Sequence, residues 1–160
     1  SASTRSIVPA HIGEQMHITR YTDYSLRVLL YLAVNNKELA TIKVIADSYG
    51  ISKNHLMKIV QHLSAKGHVE AVRGKNGGLR LAAKPEQINI GKLVRDMEQG
   101  SPLVECFGTD NECVITPACQ LKHVLAEAME SFFQTLDQYS LADMLLPKHM
   151  KGLEQILRLE

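Results

Sequence analysis

Residues 40–81 read ATIKVIADSYGISKNHLMKIVQHLSAKGHVEAVRGKNGGLRL, and this stretch decides the fold class. Apolar residues recur at helical spacing in two short segments, 42–48 and 53–66, which Gly50 separates. Glycine tolerates the left-handed conformation of a tight turn, and Ser52 is a favourable N-cap for the second segment. The apolar positions of that segment are Leu56, Met57, Ile59, Val60 and Leu63. Two short helices joined by a glycine-containing turn predict a helix-turn-helix motif.

A β-hairpin is predicted directly after these helices. Residues 68–72 alternate with a period of two, and residues 79–81 follow a tip rich in Gly and Asn. A helix-turn-helix followed by a hairpin is a winged helix, whose second helix places its N-terminal residues at the base edges of the DNA major groove. The predicted DNA-contacting residues are Ser52, Lys53, Asn54, His55 and Lys58 in the helix, with Arg73 and Lys75 in the wing.

These side chains have the chemistry that DNA recognition needs. Asn54 can pair with adenine and Lys53 can donate to guanine, whereas Lys58 lies further along the helix and could reach phosphate. Arg73 and Lys75 flank Gly74, and cations at such a tip suit phosphate or a narrow minor groove. Any one of these residues alone could equally be a solvated surface group. Their combination favours a DNA interface.

Helical periodicity marks two further segments. A helix is predicted over residues 24–34, where either Thr22 or Asp23 is a suitable N-cap. A shorter helix is predicted over residues 90–99, with Asn89 as its cap. These helices flank the winged helix on both sides in sequence.

A long helix is predicted from Thr116-Pro117 to about residue 139, because Thr at the N-cap and Pro at the first position are a strong helix start. Its apolar residues form one stripe with a second row beside it: Leu121, Leu125, Ala128, Phe132 and Leu136, then Val124, Met129 and Phe133. So long and apolar a helix in a small protein favours a homodimer, the alternative being packing on its own winged helix alone. Ser140 is expected to cap a final turn over residues 141–145.

The predicted fold class is mainly α with a small β-hairpin wing, a winged helix-turn-helix plus a long dimerisation helix. The predicted divisions are 1–15 as a probable tag or extension, 16–83 as the DNA-binding domain, 84–119 as a linking helix and cysteine loop, 117–139 as the dimerisation helix and 140–160 as a C-terminal segment.

Composition and charge narrow the class of function. The 160 residues are 45% hydrophobic and 22% charged, an ordinary globular mixture. Residues 17–81 carry ten Lys/Arg and four acidic residues, a net charge of +6, whereas residues 82–160 carry −5. A basic front half fits a polyanionic partner.

No long apolar run and no secretory signal is visible, so a cytoplasmic protein is expected. The sequence shows no nucleophile–base pair, phosphate loop or carboxylate dyad that would indicate an enzyme.

Three cysteines, Cys106, Cys113 and Cys119, lie within fourteen residues. An odd number without a secretion signal argues against a disulfide framework. Three thiolates in one loop suit zinc or an iron–sulfur cluster, and Cys119 would lie at a helix N-terminus, where the dipole stabilises anionic charge. The fourth ligand is left open between His123 and an oxygen ligand such as Asp23. Reduced structural cysteines are the remaining interpretation.

Several segments together resemble a known family. The stretches MHITRYTDY (16–24), SKNHLMKI (52–59), RGKNGG (73–78), ITPAC (115–119) and LAD (141–143), with the triple cysteine, resemble the Rrf-type iron–sulfur transcription regulators, and among them the nitric-oxide-sensing repressors. The resemblance covers nearly all of residues 16–160.

The resemblance implies a homodimeric winged helix with a long crossing dimer helix. It implies that Cys106, Cys113 and Cys119 ligate a [2Fe–2S] or [4Fe–4S] cluster and that the partner subunit's Asp23 completes the site. Binding to a palindromic operator would then end when nitric oxide attacks the cluster, and genes for nitric oxide detoxification would be derepressed.

Two alternatives stay open. The first is a regulator of cluster assembly that senses iron–sulfur status or redox state. That group has five residues between the first two cysteines and a His three residues after the third, whereas here the gap is six and Lys122 precedes His123. The second is a clusterless or zinc-holding regulator that acts through a protein partner.

Overall fold

The structure is a computed structural model that describes residues 19–35, 37–98 and 120–157. Within these ranges the chain is mainly helical with one two-stranded antiparallel sheet, so the predicted fold class is confirmed. The helices are α1 (Arg20–Val34), α2 (Ile42–Tyr49), α3 (Lys53–Ala65), α4 (Ile90–Met97), α5 (Gln120–Leu136) and α6 (Pro147–Ile156), and the strands are β1 (Val69–Val72) and β2 (Gly78–Leu81). No helix in the described ranges is long and apolar enough to cross a lipid bilayer.

Capping side chains set where the helices begin. Ser52 and Asn89 each accept a hydrogen bond from a backbone N–H in the first turn of their helix, at 3.4 and 2.9 Å, which confirms both predicted caps. The predicted start of the first helix was wrong, because α1 begins at Arg20 with Thr19 as its N-cap. Thr22, one of the two expected caps, is fully buried in the first turn.

The core lies where the first three helices meet α4. Its fully buried members include Val28 and Leu29 of α1, Ile45 of α2, Leu56, Ile59 and Leu63 of α3, and Leu93 of α4. Each such side chain contributes roughly 1.5–3 kcal/mol through its removal from water. This burial fixes one side of α3 against the protein and leaves the opposite side in solvent.

The wing is attached to the body at its second strand. β1 and β2 pair antiparallel with Val69 opposite Leu81 and Val72 opposite Gly78. Ala40 and Leu79 exchange two backbone hydrogen bonds, at 3.1 and 2.7 Å, and the Leu79 side chain is buried. The hairpin is therefore anchored beside α2 while its tip projects outward.

Helix α5 is joined to α4 by a cluster of polar contacts. The Arg95 guanidinium donates to Glu130 at 3.2 Å and to Asp137 at 2.8 Å, and it lies 4.7 Å from the centre of the Phe133 ring. These hydrogen bonds raise the pKa of Arg95. Gly91 lies buried beneath Asp137, where a Cβ would stand 2.7 Å from the Asp137 backbone nitrogen. The end of α5 can approach α4 this closely because Gly91 has no side chain.

The predicted apolar stripe of the long helix divides into two faces. Phe133 and Leu136 pack against the core. Leu121 and Val124 remain 61% and 50% exposed, Phe132 is also exposed, and no residue of α5 is fully buried within the chain. The predicted start at Thr116-Pro117 lies outside the described residues.

The C-terminal segment contains more helix than the sequence indicated. A 3-10 turn at Leu141–Met144 follows Ser140, whose side chain and backbone both bond to Asp143, which agrees with the expected cap. Helix α6 then begins with Pro147 in its first turn, a favoured position. Leu157 is buried at its end and secures it to the core.

Candidate nucleic-acid interface and cysteine segment

The solvent side of α3 is mostly polar. Lys53, Asn54, Lys58 and Gln61 are exposed, as the helical spacing requires of the side opposite Leu56 and Leu63. Met57 lies among them and is 38% exposed, although its side chain is apolar. The expected groove-facing surface therefore contains two residues, Met57 and Gln61, that the sequence did not assign to it.

Ser52 and His55 have structural contacts in addition to their predicted position at the interface. The Ser52 hydroxyl accepts from the His55 backbone N–H and so is engaged in capping α3. The His55 ring is half-buried and meets the Tyr24 ring edge-on, with 5.3 Å between the centres. Both residues lie at the N-terminal end of α3, where base contacts are expected.

The wing tip presents Arg73 and Lys75, both exposed, on either side of Gly74. Gly74 has a φ of 114°, which favours glycine, and its carbonyl accepts from the Gly77 backbone N–H at 3.0 Å. A Cβ at Gly77 would overlap the Val72 carbonyl oxygen. The tight tip thus depends on these glycines and holds two cations side by side.

The exposed cations of these two elements have no intrachain ion pair among the described residues. They are Lys53 and Lys58 of α3 and Arg73 and Lys75 of the wing. Arg80 differs, because Glu70 accepts from it across the sheet at 3.0 Å; this hydrogen bond lowers the pKa of Glu70 and raises that of Arg80. Four cations without an ion pair in the described part of the chain are available to contact phosphates.

Helix α1 contacts α3 directly through aromatic residues. The Tyr21 hydroxyl lies 2.8 Å from His62 Nδ1, and burial raises the pKa of Tyr21. Tyr24, one turn later, packs on His55. A shift of α1 would therefore reach both ends of α3.

Asp23 lies in the first turn of α1 and is paired with Arg27 one turn on. The two nitrogens of Arg27 donate to the two carboxylate oxygens, each at 3.1 Å, and the Asp23 side chain remains 46% exposed. Arg27 also lies 5.5 Å from the centre of the Tyr24 ring. Asp23 therefore has a fixed orientation and lone pairs still accessible to a ligand.

Glu98 ties α4 to the first turn of α1. Its Oε1 accepts from the Thr19 backbone N–H at 3.0 Å, from the Thr19 hydroxyl at 2.9 Å and from the buried Thr22 hydroxyl at 2.6 Å. A carboxylate at a helix N-terminus is also favoured by the helix dipole. Local sequence patterns do not predict this contact, because Glu98 is 76 residues from Thr22 and 79 residues from Thr19.

The predicted metal ligands are placed only in part. Cys106, Cys113 and Cys119 lie outside the described residues, so their roles stay predictions. His123 is exposed near the start of α5. In the described ranges no group of three or more His, Cys, Asp or Glu side chains could hold a metal ion.

The comparisons with known proteins agree with this geometry. The Rrf2 family, described as "Iron-dependent Transcriptional regulator", matches residues 18–147. The HTH-type transcriptional regulator NsrR of Bacillus licheniformis is 54% identical over 133 residues, which cover 82% of this chain and 93% of that protein. NsrR of Bacillus subtilis is 50% identical over 146 residues, covering 90% and 97% respectively.

Solved structures show the same fold. T. potens IscR is similar with a TM-score of 0.64 and 28% identity, covering 83% of this chain and 88% of that one. CymR of B. subtilis, at 24% identity and a TM-score of 0.60 over 81% of this chain and 95% of that one, supports the fold alone. The relatives are named as regulators, which confirms a regulator rather than an enzyme. The chain therefore belongs to the Rrf2 family of transcriptional regulators.

Proposed function

We propose that this chain is a homodimeric repressor that binds double-stranded operator DNA through α3 and the wing. We further propose that an iron–sulfur cluster that reacts with nitric oxide controls this binding, so that genes for nitric oxide detoxification are derepressed. The Glu98 contact carries the proposal, because it joins the residue before segment 99–119 to the turn of α1 that holds Asp23. The NsrR relatives support the choice of signal.

The DNA half of the proposal rests on the exposed surface of α3 and the wing. Lys53 and Asn54 are at the end of α3 that enters the major groove in helix-turn-helix proteins, and Asn54 can pair with adenine. Lys58, Arg73 and Lys75 supply charge for phosphates. A palindromic operator follows from a two-fold symmetric dimer.

The donor set fits an iron–sulfur cluster. Cys106, Cys113 and Cys119 provide three thiolates, and the partner subunit's Asp23 provides an accessible carboxylate; within the described ranges Arg27 is the one group that donates to that carboxylate. Thiolates are the usual ligands of such clusters. When bound, the cluster would supply an iron atom that is open to a small molecule, since oxygen is a weak fourth ligand. His123 is the other candidate for that position.

The chain's own residues would transmit the state of this site to DNA. Arg27 orients Asp23, Glu98 holds the first turn of α1, and Tyr21 and Tyr24 connect that helix to α3. Half-sites lie about 34 Å apart or a multiple of that distance, so a small change in the spacing of the two α3 helices weakens simultaneous binding. A decisive switch needs about 5 kcal/mol of differential binding.

The first experiment quantifies iron and acid-labile sulfide in anaerobically purified protein and then titrates nitric oxide while following binding to operator DNA. Release of the DNA by a few equivalents of nitric oxide per cluster supports the proposal. If iron, sulfide and zinc are all absent, the three cysteines lose their assigned role.

Replacing Asp23 by Ala tests the fourth ligand. We expect an unchanged circular dichroism spectrum together with an altered cluster absorbance or an altered response to nitric oxide. Asp47→Ala is the matched control, because Asp47 is an exposed helical acid with no ion pair among the described residues. Identical behaviour of the two variants would remove Asp23 from the ligand set.

A second candidate function is the sensing of iron–sulfur status, which the similarity to T. potens IscR favours. Iron depletion separates the two functions. A cluster-assembly regulator changes its DNA binding when iron is withheld and nitric oxide is absent, whereas the proposed sensor releases DNA on exposure to the gas.

A further inference from the structure

Met57 is the large apolar side chain on the solvent face of α3, where the small Ala65 at the end of the helix is also exposed. Its neighbours Leu56, Ile59 and Val60 are buried, and Met57 is 38% exposed. It does not belong to the core or to the partly buried residues that pack against the core. The exposed part of this side chain is available to another molecule.

The position of Met57 matches that of a base-reading residue. It lies three residues after Asn54 and four before Gln61, so the three share one face of the helix. Three residues advance an α-helix by about 4.5 Å, which is close to the roughly 3.4 Å between successive bases on a strand. If Asn54 contacts one base pair, Met57 faces the next pair or the one after it.

The major groove offers one apolar group to such a side chain, the C5-methyl of thymine. The other large groups at the base edges there are hydrogen-bond donors or acceptors. Methionine is unbranched and polarisable, so it adapts to a small apolar target. We propose that Met57 reads a thymine methyl and makes each half-site selective for thymine at one position. This inference rests on the proposed DNA binding by α3.

The test exchanges thymine for uracil, which removes only the methyl group. The full-length protein, purified anaerobically and carrying its cluster, first selects its preferred duplex from a random library, and each thymine of that duplex is then replaced in turn. Replacing the thymine at one particular position of either half-site should lower the affinity of the wild type about fourfold. This is the effect expected from the roughly 0.8 kcal/mol gained by burying one methyl-sized group. At that position Met57→Ala should bind the thymine and uracil duplexes equally.

Two variants serve as controls. Met57→Leu retains an apolar tip and should keep most of the preference for thymine. Met144→Ala removes another exposed methionine, 45% exposed and outside α3, and should leave the whole profile unchanged. Circular dichroism checks that each variant folds.

The outcomes are distinct. The inference is overturned if Met57→Ala is as sensitive to uracil as the wild type. It is also overturned if uracil lowers the affinity of Met57→Ala by the same factor at every position. A wild-type protein that selects no duplex at all overturns the proposed DNA binding as well, which distinguishes that failure from loss of the Met57 contact alone.

Discussion

The Tyr49 phenol connects α2 to α1 by donating a hydrogen bond to the Arg27 carbonyl at 2.9 Å. It therefore supports the backbone at the residue that orients Asp23. Burial raises the pKa of Tyr49 from 10.0 to about 12, although nearby Arg27 works in the opposite direction. Because the pKa is higher in the folded state, the stability linked to this proton is complete below pH 10 and is lost as the pH rises to about 12.

Tyr49→Phe tests this support. The variant loses one part-buried hydrogen bond, so its free energy of unfolding at neutral pH should fall by about 1 kcal/mol in urea denaturation. In an ultraviolet absorbance titration it should also lack a phenol that ionises near pH 12. If the absorbance change near pH 12 is the same in the variant, the assignment of the high pKa to Tyr49 is wrong.

Single residues show where sequence-based prediction succeeds. Ser52 and Asn89 were predicted as caps because an N-cap bonds to a backbone N–H only a few residues away. Thr22 was wrongly predicted as a cap because its hydroxyl donates a hydrogen bond to Glu98, which is distant in sequence, and Thr22 therefore lies inside the helix. Met57 was counted with the core residues because it is apolar, although its spacing from Asn54 and Gln61 places it on the solvent face.

At the scale of elements, Glu98→Gln should weaken the junction of α4 and α1. The neutral amide loses the charge-assisted bonds to Thr19 and Thr22, and the free energy of unfolding should fall by about 1–2 kcal/mol. Under the proposed function, operator binding should also depend less on whether the cluster is intact. Thermal melting and DNA binding of the two forms measure these effects.

Glu86→Gln is the control for that variant, since Glu86 is exposed and has no ion pair or hydrogen bond among the described residues. Equal stability of the two glutamine variants would show that the Glu98 contact contributes nothing to the fold. The Glu98 variant could be less stable and yet show the wild-type difference in DNA affinity between its cluster-bound and cluster-free forms. That result would restrict the contact to a structural role.

A pair of glycine substitutions tests the packing of α5 on α4. Gly91→Ala places a methyl group against the Asp137 backbone and should lower the free energy of unfolding by about 1–3 kcal/mol. Gly152→Ala in α6 meets no atom within 4 Å and should raise it by about 0.4–1 kcal/mol. Chemical denaturation of both variants measures the contrast, and a stabilised Gly91 variant would contradict the close approach.

At the scale of the whole molecule, the sequence predicted a winged helix because its helices, turn and hairpin are all contiguous in residues 40–81. It predicted a long apolar helix but could not divide its residues between the chain's own core and another subunit. Phe133 and Leu136 face inward because Arg95 and Gly91 dock that end of α5 onto α4. Such docking depends on side chains that are about 40 residues apart.

The exposed apolar face of α5 leads to a test of the homodimer. Leu121, Val124 and Phe132 lie along one side of the helix and away from the chain's core. Leu121→Glu combined with Val124→Glu should give a monomer in analytical ultracentrifugation and should weaken operator binding about 100-fold or more, because the second half-site is no longer bound intramolecularly. Gln134→Glu adds a charge on the polar side of the same helix and should leave both properties unchanged. A folded double variant that remains dimeric would assign the dimer interface to another surface.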